Sequence, residues 1–589
     1  MAHDHPSKPR FAFNVGIVGH RPDRLPEQAR DAVAEHVALA LRTVREAAEA
    51  AYARHRVCFD PGNPLLTLVC ALAEGADSMA ADAALAQAYT LDAVLPFPRE
   101  DYETDFKADI QRAAFAARLD RARAVLELPG SRMDEGKAYE AAGLVVLDHA
   151  DILIAVWDRA PARGRGGTPE FVAEAARRGM PIIEILADGS APPQLRWQGL
   201  EAQQKLSPHV FDHPSAPLAR LTQIVDASVK PPESKAESDG LRRFFAERRR
   251  RWNWRLLFPL TKAILFVQMP RRSDFEPRPP EALARDIAQA NPGAASAITQ
   301  AFGWADAVAS YFVQIFRGAV IGNFVFAAAA VVAAALALVL ESKTYALAEL
   351  AIIFWVLFAT SGGLKKHWHE RWVEARELAE RLRVAMAMTL LGTRSQIVYG
   401  EVQTWTGWFA RAILRQSGLR SARLDAQALS RTKDALAGLL RDQIGYQAAT
   451  RDRSHRMNGR LDKAGECLLG LTVLAIVTHL TLEIWPALLQ DVIDPSNRQL
   501  SEALGAMSMT FPAMGAALFG IRMIGDFEGA AARADRMREQ LGDLEATLAI
   551  MPHDYHRMRA VSHLVATIML GDVESWRMSA ESRGLPVTV

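Results

Sequence analysis

Four short stretches near the N-terminus hold the residues whose types and spacing could do chemistry. They are Gly19-His20-Arg21, Glu74-Gly75-Ala76-Asp77, Trp157-Asp158 and Gly166-Gly167-Thr168-Pro169-Glu170. Adjacent glycines let backbone approach a ligand, a threonine can cap a helix, and proline suits the first helical turn. A helix start with free amides and a nearby hydroxyl is a natural phosphate site. Each stretch by itself also reads as an ordinary cap or turn, so the weight rests on their recurrence in order. Glu170, Asp158 and Glu74 are the acids within reach of the glycine loop, and Glu170 is the one candidate for a catalytic role.

Other chemistry is sparse. His367 and His369 stand two apart in a helical pattern and point away from each other, so they cannot share a metal. His3 and His5 fall in a stretch expected to be a disordered tail. Three cysteines (Cys58, Cys70 and Cys467) cannot build a disulfide framework or a four-thiolate zinc site. There is no Walker loop. No metal and no resident cofactor are expected. With 69 basic against 68 acidic side chains, a general nucleic-acid binder is also disfavoured.

The elements needed to position these residues are legible. Apolar runs at 13–18, 65–73, 91–97, 124–128, 151–157 and 181–186 alternate with helical patterns at 27–55, 77–89, 135–147 and 169–178. Short buried strands alternating with helices predict an α/β, Rossmann-like parallel sheet covered on both faces. The four stretches then lie at carboxyl ends of strands, where ligands of such sheets bind.

Beyond residue 310 the chain changes character. Residues 318–340 carry no charge, and 350–364, 467–482 and 503–521 are further uncharged runs, against a mean hydropathy of −0.01 overall. About 20 apolar residues cross a bilayer as a helix, so an all-α membrane region with four transmembrane helices is expected. Arg317, Lys365, Lys366, Arg371, Lys463 and Arg522 flank the spans on one side, while Glu483, Asp491, Asp494 and Glu502 populate a connecting loop. Cationic flanks stay inside, which places both termini in the cytoplasm of a multi-pass inner or plasma membrane protein. No apolar leader marks the first residues as a cleavable signal. Four spans enclose little of a channel, so a homo-oligomer is expected.

The hairpins look duplicated: Ala379-Glu380-Arg381-Leu382-Arg383 and Ala534-Asp535-Arg536-Met537-Arg538 recur at an offset of 155. Small residues such as Gly505, Ala513 and Ala517 leave the fourth span able to pack closely on another helix. Arg248 to Arg255, with Trp252 and Trp254, reads as a segment lying on an anionic bilayer surface. Residues 392–418, with Trp405, Trp408 and Phe409, lack periodicity and read as a surface-lying element. The domain organisation is then 11–190 for the sheet, 191–310 a linker, 311–390 a first membrane module, 391–454 a helical connector, 455–550 a second module and 551–589 a helical tail.

In order along the chain, Gly16-Ile-Val-Gly19-His20-Arg21, Leu72-Ala-Glu-Gly75-Ala-Asp77, Leu95-Pro-Phe-Pro98 with Tyr102 and Phe106, and Asp151-Ile-Leu-Ile-Ala-Val-Trp157-Asp158 with Gly166-Gly-Thr168 closely resemble the SLOG superfamily. That superfamily includes the cytokinin-activating LOG enzymes and the nucleotide-sensing domain of TRPM channels. The resemblance covers about residues 11–187 and implies a nucleotide or ADP-ribose-like ligand held by the four stretches. The hairpins resemble SLATT domains, two-span modules of bacterial conflict systems. LOG enzymes carry Pro-Gly-Gly-x-Gly-Thr-x-x-Glu; here Glu170 follows Thr168 by two residues, a departure that favours binding over hydrolysis. The reading is a ligand-gated, pore-forming membrane effector, with a membrane-anchored nucleotide N-glycosidase or a structural anchor with an inactive Rossmann domain as alternatives.

Overall fold

The computed structural model describes residues 4–161, 164–197, 215–248, 257–265, 267–269, 271, 279–290, 296–394, 404–485 and 498–581. His3, Arg163 of the glycine loop, Trp252 and Trp254 of the basic segment, and Asp491 and Asp494 of the acidic loop lie outside the described residues.

Six parallel strands form as the alternation demands: β1 (Ala12–Gly19), β2 (Leu65–Cys70), β3 (Thr90–Leu95), β4 (Ala124–Glu127), β5 (Ile152–Trp157) and β6 (Ile182–Leu186). Successive side chains of a strand face opposite ways. Thus Leu68 and Cys70 pack beneath helices α1 (Arg30–His55) and α2 (Ala76–Ala86), while Val69 between them faces the other layer. The short α3 (Arg99–Tyr102) and α4 (Asp109–Arg121) follow β3; α5 (Glu135–His149) and α6 (Thr168–Arg177) cover the second face.

The sheet extends past residue 190. Antiparallel β7 (Gln194–Arg196) and β8 (Ser215–Pro217) follow β6 at one edge, and β9 (Ala422–Arg423) adds in parallel to β4 at the other. The strand order is β8-β7-β6-β5-β1-β2-β3-β4-β9. β1 therefore lies between β5 and β2, which is where the order of connection reverses.

Helices α7 (Leu221–Val229), α8 (Lys235–Phe245), α9 (Leu257–Ile264) and α10 (Pro280–Ala290) lead to the helical region. There α11 (Ser296–Val339) and α12 (Lys343–Lys365) form one hairpin, and α13 (Trp368–Thr389) returns along α11. After α14 (Trp405–Ser417) the pattern repeats, with α15 (Ala426–Ile484), α16 (Arg498–Gly525) and α17 (Phe527–Ile550), and α18 (Tyr555–Glu581) packs on α13 and α17. In each unit the second span ends in a left-handed residue, His367 (φ 51°) or Asp526 (φ 45°), which bends the chain into its charged helix. These breaks stand 159 residues apart, one helical turn more than the motif offset of 155.

Four helices are long and apolar enough to cross a membrane, and their apolar stretches coincide with the four runs read from sequence. Leu471, Leu474 and Leu480 of α15, Phe354 and Phe358 of α12, and Phe519 of α16 are exposed. Such continuous bare apolar surface is what a lipid-facing helix presents. Inside the bundle Asn323 of α11 donates to Thr360 Oγ1 of α12 at 2.9 Å. At Gly520 of α16 an added β-carbon would lie 2.2 Å from the Phe324 ring of α11, so this glycine serves packing within the chain, whereas at Gly505 and Gly515 an added β-carbon would meet none of the described residues within 4 Å.

The segment around α14 is not surface-lying. Trp405, Trp408 and Phe409 are buried, Trp408 Nε1 donates to the Val229 carbonyl at 2.8 Å, and its ring meets Phe59 edge-on. Arg415 pairs with buried Asp151 at 2.7 Å. Poor helical periodicity here reflects a helix enclosed on several sides between the sheet and α8. The N-terminal stretch is also docked at one point, His5 Nδ1 lying 2.8 Å from the Glu247 carbonyl oxygen.

Candidate functional site

The carboxyl ends of β1, β5, β2 and β3 meet at one rim. β1 runs out at Gly19, and the amide of His20 still pairs with Val156 of β5 at 3.0 Å. That bond turns the buried imidazole toward Asp158, whose amide nitrogen lies 3.1 Å and whose Oδ1 lies 2.9 Å from Nε2. Burial lowers the imidazole pKa, outweighing the pull of Asp158. Burial works to raise Asp158, yet hydrogen bonds from His20, the Ala160 amide and Arg24 hold its carboxylate well below the usual range. Arg24, on the turn after His20, donates from Nε at 3.1 Å. The reversal point between β1 and β5 is thus occupied by an ion cluster of the protein's own.

On the other side of β1, Gly75 has φ +105°, and an added β-carbon would lie 2.5 Å from the His20 carbonyl oxygen. Only glycine lets the β2–α2 turn sit this tightly on the loop after β1. Asp77, in the first turn of α2, accepts the Ala71 amide at 3.2 Å and is buried. Burial pushes its carboxyl up to about 7. Nearby, the Tyr102 hydroxyl is buried without a hydrogen-bond partner among the described residues, and burial with the Asp77 charge drives its pKa well up. Glu74 accepts a hydrogen bond from Gln111.

Arg21 points outward. Its guanidinium lies 4.8 Å from the centre of the Tyr139 ring and 3.2 Å from Asp105 Oδ2. Asp105 also accepts the Tyr139 hydroxyl at 2.8 Å and Arg132 at 2.6 Å. Arg132 in turn covers the Phe97 ring at 4.1 Å and reaches Asp101 at 3.0 Å. Two guanidiniums held against aromatic rings by shared carboxylates suit a phosphate-bearing ligand with a planar group.

At the glycine loop, Gly166 has φ +80° and packs its backbone against Gly136 and Tyr139 at the start of α5. Glu170 reaches back and accepts the Gly166 amide at 2.8 Å. This carboxylate braces the turn one residue ahead of the Gly167 N-cap, and its charge lies in the first turn of α6, where the macrodipole favours it. Gly167 caps the helix in extended conformation, and Thr168 is buried. Trp157 is buried in an apolar cluster with Val18, Phe171 and Val172.

The fold accordingly brings Gly19, His20, Arg21, Gly75, Asp77 and Asp158 to the rim, with Gly166, Gly167 and Glu170 alongside over α5, while Trp157 and Thr168 serve the core. Arg24, Asp105, Arg132 and Tyr139 join them without having been singled out from sequence. The signal for Arg132 was present, since Pro129-Gly130-Ser131-Arg132 after β4 repeats the small-then-polar pattern of the other strand ends. Arg24, Asp105 and Tyr139 sit in helical surroundings with nothing local to mark them. Ser131 Oγ caps the Met133 amide at 3.2 Å. No group of three or more metal-ligating side chains occurs among the described residues.

Compared with known proteins, the chain matches no protein-family model and no curated relative.

Proposed function

We propose that this chain is a ligand-gated membrane effector whose SLOG-like sheet domain senses a nucleotide or ADP-ribose-like signal at the rim and whose SLATT-like hairpins assemble into a pore. The observation that carries the reading is helix α5. Its first turns hold Tyr139 against Arg21 and carry the glycine loop. Its last residues grip the helical region: Asp148 pairs with Arg559 of α18 at 2.7 Å, and His149 Nε2 lies 2.9 Å from the Gly392 carbonyl oxygen beyond α13. A ligand that favoured one arrangement of the rim would bias one rigid helix that touches both the site and the membrane modules. It can shift the pore only by its differential affinity for the two states.

In this reading both termini and the rim are cytoplasmic, the bilayer surrounds the four apolar helices, several copies make the pore, and no nucleic acid is bound. A role in bacterial conflict or antiphage defence follows from the resemblance alone. The capped position of Glu170 supports sensing over N-glycosidic hydrolysis, because its carboxylate is spent on the Gly166 amide.

The test is dye release from vesicles containing the full chain, with a panel of nucleotides and ADP-ribose, alongside chromatography of each nucleotide. Leakage with one of them and no breakdown is the expected result. Breakdown without leakage would replace this reading with the hydrolase.

A further inference from the structure

A cavity lies away from the rim, between α11 and α13 of one repeat and α15 and α17 of the other. It encloses about 440 Å³, a volume typical of small-ligand sites. Five cationic side chains line it: Lys262, Arg317, Arg376, Arg453 and Arg533. Only two carboxylates, Glu380 and Asp572, face them.

Two of the cations are already committed. Arg376 pairs with Glu380 at 2.5 Å, and Arg533 with Asp526 at 2.8 Å. Arg317 and Arg453 have no carboxylate partner among the described residues. Arg453 bonds only its own helix, through the Ala449 carbonyl and Thr450. Arg317 stands 5.0 Å from the centre of the Phe258 ring and 6.0 Å from that of Trp372, with its open surface on the cavity. Surplus positive charge enclosed by protein is costly unless an anion joins it. A neighbouring group registers that surplus. Arg376 holds the Tyr446 hydroxyl below its ordinary value.

A second cavity of about 110 Å³ adjoins it and shares Arg317 and Trp372 in its lining. Val320, Ile321, Ile521 and Ile524 line this part, at the ends of the first and fourth spans. A cationic chamber thus adjoins an apolar one beside the membrane.

We propose that this cavity binds a phosphate-bearing anion, with Arg317 of α11 and Arg453 of α15 as its principal ligands. Lipid headgroups and free phosphates share that chemistry. The apolar chamber would seat the first methylenes of a lipid, and would stay unused with a soluble anion. Either source would clamp the two repeats together, because the two arginines belong to different repeats.

The experiment uses the full chain in nanodiscs of zwitterionic lipid, titrated with inorganic pyrophosphate, and a parallel set in which phosphatidylglycerol replaces part of that lipid. Thermal unfolding and native mass spectrometry report binding directly, without any leakage measurement, so the result stands apart from the gated-pore reading. Stabilisation by pyrophosphate assigns a soluble source, and retained phosphatidylglycerol with its own stabilisation assigns the lipid. Arg317→Gln and Arg453→Gln should each weaken the bound anion about tenfold or more, as loss of a charge-assisted contact implies. Arg451→Gln, which breaks pairs with Asp452 and Asp535 outside the cavity lining, should leave binding unchanged. If Arg317→Gln fails to fold, Arg453→Gln on a separate helix decides the matter. No stabilisation by either probe, or binding by Arg453→Gln equal to the parent, would overturn the proposal.

Discussion

Arg559 of α18 donates to Oδ2 of Asp148 at 2.7 Å, and this pair ties the far end of a sheet-domain helix to the helical region. Asp148 is buried and also takes Arg178 at 2.9 Å. Burial alone would raise its pKa, but the two guanidiniums hold it below the usual carboxylate value.

Arg559→Gln should therefore cost stability without exposing a naked charge, since Arg178 remains. A loss of about 1–3 kcal/mol is expected, the range for a charge-assisted hydrogen bond. Denaturant titration of the full chain reads it. If α5 couples rim to pore, the same variant should lose ligand-dependent leakage while keeping ligand affinity within about a factor of two. Leakage equal to the parent would remove α5 from the coupling route.

The sheet domain should not stand alone. Arg415, Trp408 and β9 come from residues far beyond 190, and Asp151 is buried against Arg415. Breaking a buried pair from one side costs about 3–5 kcal/mol, so Arg415→Leu should be severely destabilised. A fragment ending at 232 should bind a hydrophobic dye such as ANS, and one that also includes 404–424 should not. Equal dye binding by both would show that α14 is dispensable.

Asp77 gives a pH dependence with a definite sign. Its carboxyl is raised to about 7 in the fold, against roughly 3.9 in an unfolded chain. Between these values the folded state holds more protons, so this group lowers stability as pH rises, by at most about 1.4 kcal/mol per pH unit. Asp77→Asn should therefore gain on the parent from pH 4 to 7, then run parallel above that. His20, with a lowered pKa, contributes the opposite slope below about 6.5, so the parent-minus-variant difference is the quantity to plot. A flat difference would place the Asp77 carboxyl in solvent.

Glu170→Gln and Gly166→Ala separate the cap from the loop. Gly166→Ala puts a β-carbon 2.8 Å from the Gly136 carbonyl oxygen at φ +80°, and should disorder the loop at a cost of about 1–3 kcal/mol. Glu170→Gln keeps an acceptor for the Gly166 amide and removes the charge a ligand phosphate would have to displace. Nucleotide affinity should be equal or tighter in Glu170→Gln and lost in Gly166→Ala, read by calorimetry on the full chain. Weaker binding by Glu170→Gln would mean that its carboxylate grips the ligand itself.

Local pattern determined much of this protein. Short apolar runs between helical patterns and the turns after Val18, Ala73 and Trp157 placed the parallel sheet and most of its rim, because continuous apolar strands and glycine geometry are properties of adjacent residues. The four apolar runs gave the four helices long and apolar enough to cross a membrane for the same reason, since length and hydropathy are read along one chain.

Only the tertiary structure decided the rest. Asp105, Arg132 and Tyr139 reach Arg21 because β3, β4 and α5 converge, and no spacing along the chain encodes that distance. Trp405 and Trp408 are core residues because the connector folds back under the sheet, which makes a helix without a polar face look aperiodic. Glu170 folds back onto the Gly166 amide of its own loop, an outcome set by a backbone turn rather than by composition. The cavity between Arg317 and Arg453 exists because two repeats pack face to face and leave their like charges without enough carboxylates between them. Contacts between distant segments depend on packing, which the order of residues constrains only through the whole fold.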